Sequence, residues 1–244
     1  MPSIKLTLEY EGTAYAGWQQ QPNQPTIQGQ VEQALLQITK QKIPVIGAGR
    51  TDAGVHALGQ VASFYSEKFL PPPKWASALN RYLPADITVL RSEQVSDSFH
   101  ARFSAKGKIY EYRIRLHPSR SALERHRIWH IHTALDFSRM QQAIPWFIGT
   151  HDFSSFEGPR SGTKDRICRI SHMTIHQRES LLTIRIEGDR FLKQMVRAIV
   201  GTLVEVGRKR REPDEMPIII QTRDRRAAGE TAPAEGLYLV EVLY

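Results

Sequence analysis

Hydrophobic and polar residues alternate at the start of the chain with the period of two expected of a half-buried strand. Ile4, Leu6, Leu8 and Tyr10 face one way, Lys5, Thr7 and Glu9 the other. A Gln-rich polar loop follows through Pro25, and then the period changes. Ile27, Val31, Ala34, Leu35 and Ile38 fall near one helical stripe, and the Thr26 hydroxyl stands where it can cap that helix. Short strands are expected at 43–46 and 60–65, on either side of a glycine-rich run. Pro71-Pro72-Pro73 breaks the chain before a short helix at 74–82, and 88–95 has a strand pattern. The clearest alternation puts Tyr110, Tyr112, Ile114 and Leu116 on one face and Glu111, Arg113 and Arg115 on the other. Further on, Asp136 is placed to cap a helix reaching residue 147, and strands are expected at 168–176 and 181–187. A strong helix is predicted over 191–206, with Phe191, Met195, Ile199, Leu203 and Val206 near one stripe and Gly207 as its C-terminal stop. A strand at 237–243 closes the chain.

Strands outnumber helices, and hairpin pairs alternate with single helices. That argues for an α+β protein with a largely antiparallel sheet and helices on one face. The halves read as a loose structural duplication, an N-terminal one over 1–105 and a C-terminal one over 106–244. No Gly/Ser linker divides them, so they are expected to form one continuous unit sharing the sheet.

Composition narrows the function classes. The chain has 244 residues, 41% of them hydrophobic, enough for a full core. Lys and Arg total 33 against 25 Asp and Glu, a net charge of +8, which points to a polyanionic partner. Cys168 is the single cysteine, so neither an intrachain disulfide nor a thiolate metal cluster can form. We expect it to be a packed thiol in a reducing compartment. The opening residues, Met1 to Leu6, pass straight into strand alternation and predict no signal peptide. No apolar run approaches the ~18 residues of a membrane helix. A cytoplasmic protein without a membrane partner is expected. His130 and His132 share a strand face but lack a third ligand nearby, so we assign them structural roles and no metal.

The candidate chemistry lies in Gly47-Ala48-Gly49-Arg50-Thr51-Asp52-Ala53-Gly54. It lacks the Gly-Lys-Ser/Thr ending of a phosphate-binding loop and the glycine spacing of a dinucleotide fingerprint. What remains is a carboxylate on a small-residue loop, two positions after an arginine. An ionised Asp can attack carbon and form a covalent intermediate. A turn-forming Asp bonded to its own backbone is the commoner use of such a run.

The longer motif Arg50-Thr51-Asp52-Ala53-Gly54-Val55-His56, followed by Gly59-Gln60-Val61, resembles the active-site motif of the TruA family of tRNA pseudouridine synthases. Lys108-Ile109-Tyr110-Glu111-Tyr112-Arg113 resembles the family's strand with an active-site tyrosine. Phe191-Leu192-Lys193-Gln194-Met195-Val196-Arg197 is similar to its arginine helix, and Ala232-Pro233-Ala234-Glu235-Gly236-Leu237-Tyr238-Leu239 to its C-terminal strand. The opening Leu8-Glu9-Tyr10-Glu11-Gly12-Thr13-Ala14-Tyr15-Ala16-Gly17-Trp18-Gln19 fits as well. The segment 156–165 has no clear counterpart.

The resemblance implies a pseudouridine synthase fold of two ferredoxin-like halves and isomerisation of uridine to pseudouridine in tRNA. It implies positions 38–40, on the 3′ side of the anticodon stem-loop, and a homodimer that grips the RNA. It implies no cofactor and no metal. By transfer, Asp52 is the nucleophile, attacking either the uracil ring or C1′ of the ribose. Arg197 is its charge partner, Tyr110 stacks on the target base, Leu237 forms an apolar wall and Arg50 contacts the RNA. His56 supports the Asp52 loop. The uridine must be flipped from its stem-loop, so Arg208-Lys209-Arg210-Arg211, Arg223, Arg225 and Arg226 are candidate phosphate contacts. Two other classes fit parts of the pattern. A non-catalytic RNA-binding protein accounts for charge and aromatics but gives no reason for the Asp loop. A nucleoside hydrolase would release free uracil, and the Asp52 motif holds no second acid for it.

Overall fold

The computed structural model describes residues 3–67 and 70–244; Met1 and Pro2, the start of the expected opening strand, lie outside the described residues. The chain forms an α+β protein of two compact units. One takes the chain up to Lys106 together with Tyr238–Tyr244; the other is Gly107–Leu237.

In the first unit, β1 (Ser3–Tyr10), α1 (Ile27–Thr39), β2 (Ile46–Gly47), β3 (His56–Tyr65), α2 (Lys74–Asn80) and β4 (Ile87–Val95) follow one another. β1 lies between β4 and β3, antiparallel to both, and β2 lies antiparallel on β3. This βαββαβ order with strands 4-1-3-2 is the expected ferredoxin-like arrangement. The last strand, β10 (Leu237–Leu243), joins this unit through Tyr238 and Leu239, which pair in parallel with His56 and Ala57. β2 and β10 therefore share one edge of β3, β2 beside Ala62 and Ser63 and β10 beside His56 and Ala57. The alternation of β1 is kept: Ile4, Leu6, Leu8 and Tyr10 are buried. Thr26 caps α1, its hydroxyl accepting from the Gly29 amide at 3.2 Å.

The second unit contains β5 (Gly107–Leu116), β6 (Trp129–Ile131), α3 (Phe137–Ala143), β7 (Gly149–Asp152), β8 (Ile167–Arg178), β9 (Leu181–Gly188), α4 (Met195–Gly207) and α5 (Met216–Thr222). Its strand order β5-β9-β8 echoes β1-β3-β2, again antiparallel, with β7 added beyond β8 and the short β6 parallel to β5. Among the described residues no helix is long and apolar enough to cross a membrane.

Several boundaries differ from the sequence pattern. The helix expected over 191–206 starts only at Met195, because Gln194 takes a left-handed φ of 60° and residues 191–194 form a turn. Phe191, given to the helical stripe, instead packs edge-on against Tyr110 with ring centroids 5.1 Å apart. Gly207 is the last residue of α4 and not a left-handed stop. A methyl group there would stand 2.8 Å from Met140 Sδ, so its smallness serves the packing of α3 on α4. The helix expected to run from Asp136 to 147 ends at Ala143 and tightens into a 3₁₀ turn, Ile144–Phe147, where Pro145 cannot supply an amide hydrogen. The strand expected at 43–46 shrinks to Ile46–Gly47, and the one at 60–65 begins earlier, at His56. The helix expected at 74–82 is complete by Asn80. β7 and α5 had no counterpart in the pattern; β6 covers His130 of the strand face given to His130 and His132.

α4 is the central helix of its unit. Of its residues only Arg197 and Glu205 are not buried. Each aliphatic side chain so covered contributes about 1.5–3 kcal/mol. Such a helix needs a neighbour at backbone distance, and Gly201 provides it: a methyl group there would lie 1.8 Å from the Glu230 carbonyl oxygen. Gly201→Ala should therefore cost about 2 kcal/mol or more, because a backbone atom, not a flexible side chain, must move. The check is urea denaturation, with a lower midpoint at an unchanged slope expected; a wild-type midpoint would contradict the packing.

Candidate active site

Asp52 lies in the loop that joins β2 to β3, and the loop's backbone is fixed residue by residue. The Ala48 amide donates to the Val61 carbonyl at 2.8 Å, continuing the strand pairing of β2. The Thr51 carbonyl accepts from the Trp18 amide at 3.1 Å, and the Asp52 carbonyl accepts from the Val55 amide at 3.2 Å. Both peptides flanking Asp52 are thus tied down. Thr51 and Val55 are buried, Ala53 is exposed, and Asp52 is half-buried between them. The backbone turns at Asp52, as the commoner use of such a run requires, and the Val55 amide bond to the Asp52 carbonyl closes a turn there.

Residues 12–18 press against this loop. A side chain at Gly12 would meet the Val55 carbonyl oxygen at 2.0 Å. Gly17 has φ +99°, and a methyl there would reach the Thr51 carbonyl oxygen at 2.5 Å. Only glycine allows both that conformation and that approach. Two side chains complete the cage. Tyr10 Oη lies 2.8 Å from Thr51 Oγ1, and Gln60 Nε2 donates to the Gly49 carbonyl at 3.0 Å and to Tyr10 Oη at 3.3 Å. His56 is buried; its Nδ1 accepts from the Gly12 amide at 3.0 Å, and its ring stacks on Tyr238 at 4.8 Å. It therefore braces the end of the loop. Arg50 is exposed, and its Nε donates to Gln19 Oε1 at 3.0 Å. Gln19 is held in turn by Gln28, which Glu32 anchors to α1.

In the second unit Tyr110 is buried on β5 opposite Ile186, with Phe191 against its ring. Arg197 is half-buried and doubly tied to Ala232: its Nε donates to the Ala232 carbonyl at 2.8 Å, and the Ala232 amide donates to the Arg197 carbonyl at 3.1 Å. Tyr112 is fully buried and donates to the Pro233 carbonyl at 2.7 Å. Leu237, 5% exposed, begins β10 directly after this stretch. Arg197 and Tyr112 together fix the chain that delivers Leu237. Asp52 and Arg50 thus belong to the first unit, Tyr110, Arg197 and Leu237 to the second.

The expected phosphate contacts are largely committed elsewhere. Arg208 pairs with Glu230, Lys209 with Asp136, Arg211 with Glu205 and Glu215, Arg223 with Asp152 and Arg226 with Asp224. Arg225 donates to the Ala228 and Gly229 carbonyls. Arg210 alone of the seven makes no side-chain ion pair or hydrogen bond among the described residues. His130 Nε2 lies 2.6 Å from the His117 carbonyl oxygen, a structural contact, and the described residues contain no group of three or more His, Cys, Asp or Glu arranged to hold a metal. Cys168 is buried and its thiol is pushed up to about 12 by that burial, as a packed thiol would be. The segment 156–165 folds over the turn before α4: the Gly158 amide donates to the Lys193 carbonyl and Lys193 Nζ to the Pro159 carbonyl. An open recess of about 360 Å³, lined by Arg139, Gln142, Trp146, Glu212, Pro213 and Asp214, contains none of the expected site residues.

Tyr10, Thr51 and Gln60 lie within segments that resemble the family but had been given no role of their own. Gln60 carried one signal, a polar residue at a buried position of an apolar strand. Burial raises Tyr10 to about 12, against the opposing effect of its hydrogen bonds to Thr51 and Gln60. Burial also pushes Tyr15, Tyr112 and Tyr244 well up. A folded-state pKa above the unfolded ~10 gives stability that is complete below pH ~10 and is lost as pH rises through the folded value. Absorbance titration should show these four of the eight tyrosines still un-ionised near pH ~11 in the folded chain, with unfolding stability falling above pH ~10. Ionisation of all eight together near pH ~10 before unfolding would refute it.

Comparison with known proteins agrees over most of the chain. The family model described as tRNA pseudouridine synthase matches residues 7–104 and 143–244, which include Arg50, Asp52, Arg197 and Leu237; Tyr110 falls between the matched segments. The tRNA pseudouridine synthase A of Acetivibrio thermocellus is 49% identical over 244 residues, all of both chains. That of Shouchella clausii is 45% identical over all of this chain and 94% of its own. The tRNA pseudouridine synthase A 2 of Clostridium tetani is 44% identical over 99% of this chain and 98% of its own.

Proposed function

The chain belongs to the tRNA pseudouridine synthase family, an isomerase family with an α+β fold, and from that premise we propose that it modifies uridines 38–40, on the 3′ side of the anticodon stem-loop, through a covalent Asp52 intermediate. The observation that supports this most directly is the Asp52 loop. A half-buried carboxylate stands on a backbone whose flanking peptides are both hydrogen-bonded and against which two glycines pack. A nucleophile needs this: an ionised group whose direction does not drift.

In this reading the target uridine is flipped out of its stack and its glycosidic bond to nitrogen breaks. The freed base turns, carbon 5 bonds to the sugar and gives up its proton to solvent, and N1 takes one up, so atoms and charge balance and no electrons enter or leave. Asp52 holds the covalent link meanwhile, to the base or to C1′. Arg197, whose Nε is bonded to the Ala232 carbonyl, is the charge partner of Asp52. Tyr110 offers an aromatic surface to the flipped base, Leu237 an apolar wall, and Arg50 a contact to the RNA. The reaction needs no cofactor and no metal. The enzyme works as a homodimer in the cytoplasm, on tRNA.

Asp52→Asn is expected to lower the rate of tritium release from tRNA labelled at uridine carbon 5 by a factor on the order of 10⁴, with tRNA affinity kept. Wild-type turnover by Asp52→Asn would refute the nucleophile. Purified protein should act on an unmodified transcript in the presence of a chelator, and a requirement for added metal would refute the cofactor-free route. Mapping pseudouridine in total tRNA from cells with and without this protein tests positions 38–40.

A further inference from the structure

The hydrogen-bond chain beneath Asp52 has a direction. Gln60 Nε2 carries only hydrogens, so Tyr10 Oη accepts from it. The Val61 amide donates to Gln60 Oε1 at 3.2 Å, which fixes which end of the amide faces Tyr10. Tyr10 Oη then has one hydrogen left, and the atom within reach is Thr51 Oγ1 at 2.8 Å. All three side chains are buried, where an unspent hydroxyl hydrogen is costly. The order is therefore Gln60 to Tyr10 to Thr51, and Thr51 is joined to Asp52 by one peptide bond. Gln60 also binds the Gly49 carbonyl, so the same amide holds the loop on both sides of Arg50.

We propose that Tyr10 and Gln60 are positioning residues for the Asp52 carboxylate, acting through the Thr51 hydroxyl. The proposal rests on the nucleophile assignment above. Neither residue exchanges protons with substrate. Tyr10 is deep in the first unit, and its burial keeps the phenol neutral across any working pH. Their contribution is to hold the angle at which the half-buried carboxylate leaves the loop. A small loss of aim at a nucleophile can cost up to ~100-fold in rate without weakening substrate binding.

The test compares Tyr10→Phe, Thr51→Val, Thr51→Ser, the Tyr10→Phe/Thr51→Val double variant and Asp52→Asn, all as full chains on tRNA transcripts. Circular dichroism and thermal melting report whether each folds. Tyr10→Phe and Thr51→Val should each lower kcat by about 10-fold or more, with KM within about 2-fold of wild type. The double variant should be no slower than the slower single, because both changes break the same Tyr10–Thr51 hydrogen bond. Thr51→Ser, which keeps the hydroxyl, should recover most of the rate, and the shape of the pH profile should not change. A folded Tyr10→Phe enzyme with wild-type kcat overturns the proposal, as does Thr51→Ser as slow as Thr51→Val, which would make the role one of packing. If Tyr10→Phe does not fold, the Thr51 pair decides alone. Asp52→Asn separates the two claims: if it stays active, the nucleophile assignment fails first and this inference with it. If it is inactive while Tyr10→Phe is not impaired, only the inference fails.

Discussion

The contact between two loop backbones, residues 12–18 against 51–55, is the constraint on which the first unit's site depends. Main-chain atoms meet there at distances that exclude any side chain at Gly12 or Gly17. Because backbone approaches backbone, the two loops bond to each other: the Trp18 amide to the Thr51 carbonyl and the Gly12 amide to the His56 imidazole. A buried loop with unpaired polar groups would be unstable. Here the carbonyls of Thr51 and Asp52 are both paired, so the half-buried Asp52 side chain leaves a held stretch of main chain.

The second unit solves a similar problem with a helix. α4 is apolar on nearly every side, and the segment preceding β10 lies close enough to it to require Gly201. Arg197 is one of two openings in that apolar surface, and its bonds to Ala232 join the helix to the segment that carries Leu237. Tyr112 secures the next carbonyl from β5. In both units the main chain around an expected site residue is held by side-chain hydroxyl, amide or guanidinium groups.

The distribution of charge follows from the same packing. The basic run after α4 suggested RNA phosphate contacts, yet Arg208, Lys209 and Arg211 each meet an acidic side chain of their own unit. The more exposed of these pairs, Arg208–Glu230 and Lys209–Asp136, contribute little to stability, about 0–1 kcal/mol. Their effect is on availability, since a paired guanidinium must give up its partner before it meets a phosphate. Arg50 differs, being exposed and bonded, among the described residues, to the neutral amide of Gln19.

Local pattern was enough for the strands at 4–10 and 237–243, the Thr26 cap and the alternation around Tyr112, because period and capping depend on residues a few positions apart. The motif around Asp52 was legible for the same reason. What the pattern could not contain was any partner distant in the chain. Phe191 has the spacing of a helix residue, but Tyr110 draws its ring out of the helix, and α4 starts four residues later. Gly207 has the look of a helix stop, but Met140 fixes its use as a packing gap. Tyr10 and Gln60 are ordinary strand residues until the strand pairing places them under Thr51, 41 residues from Tyr10. Sequence by itself determined which residues are chemically able to act. Tertiary structure decided how the loop beneath Asp52 is held, because hydrogen bonds between buried groups exist only once distant strands are in register.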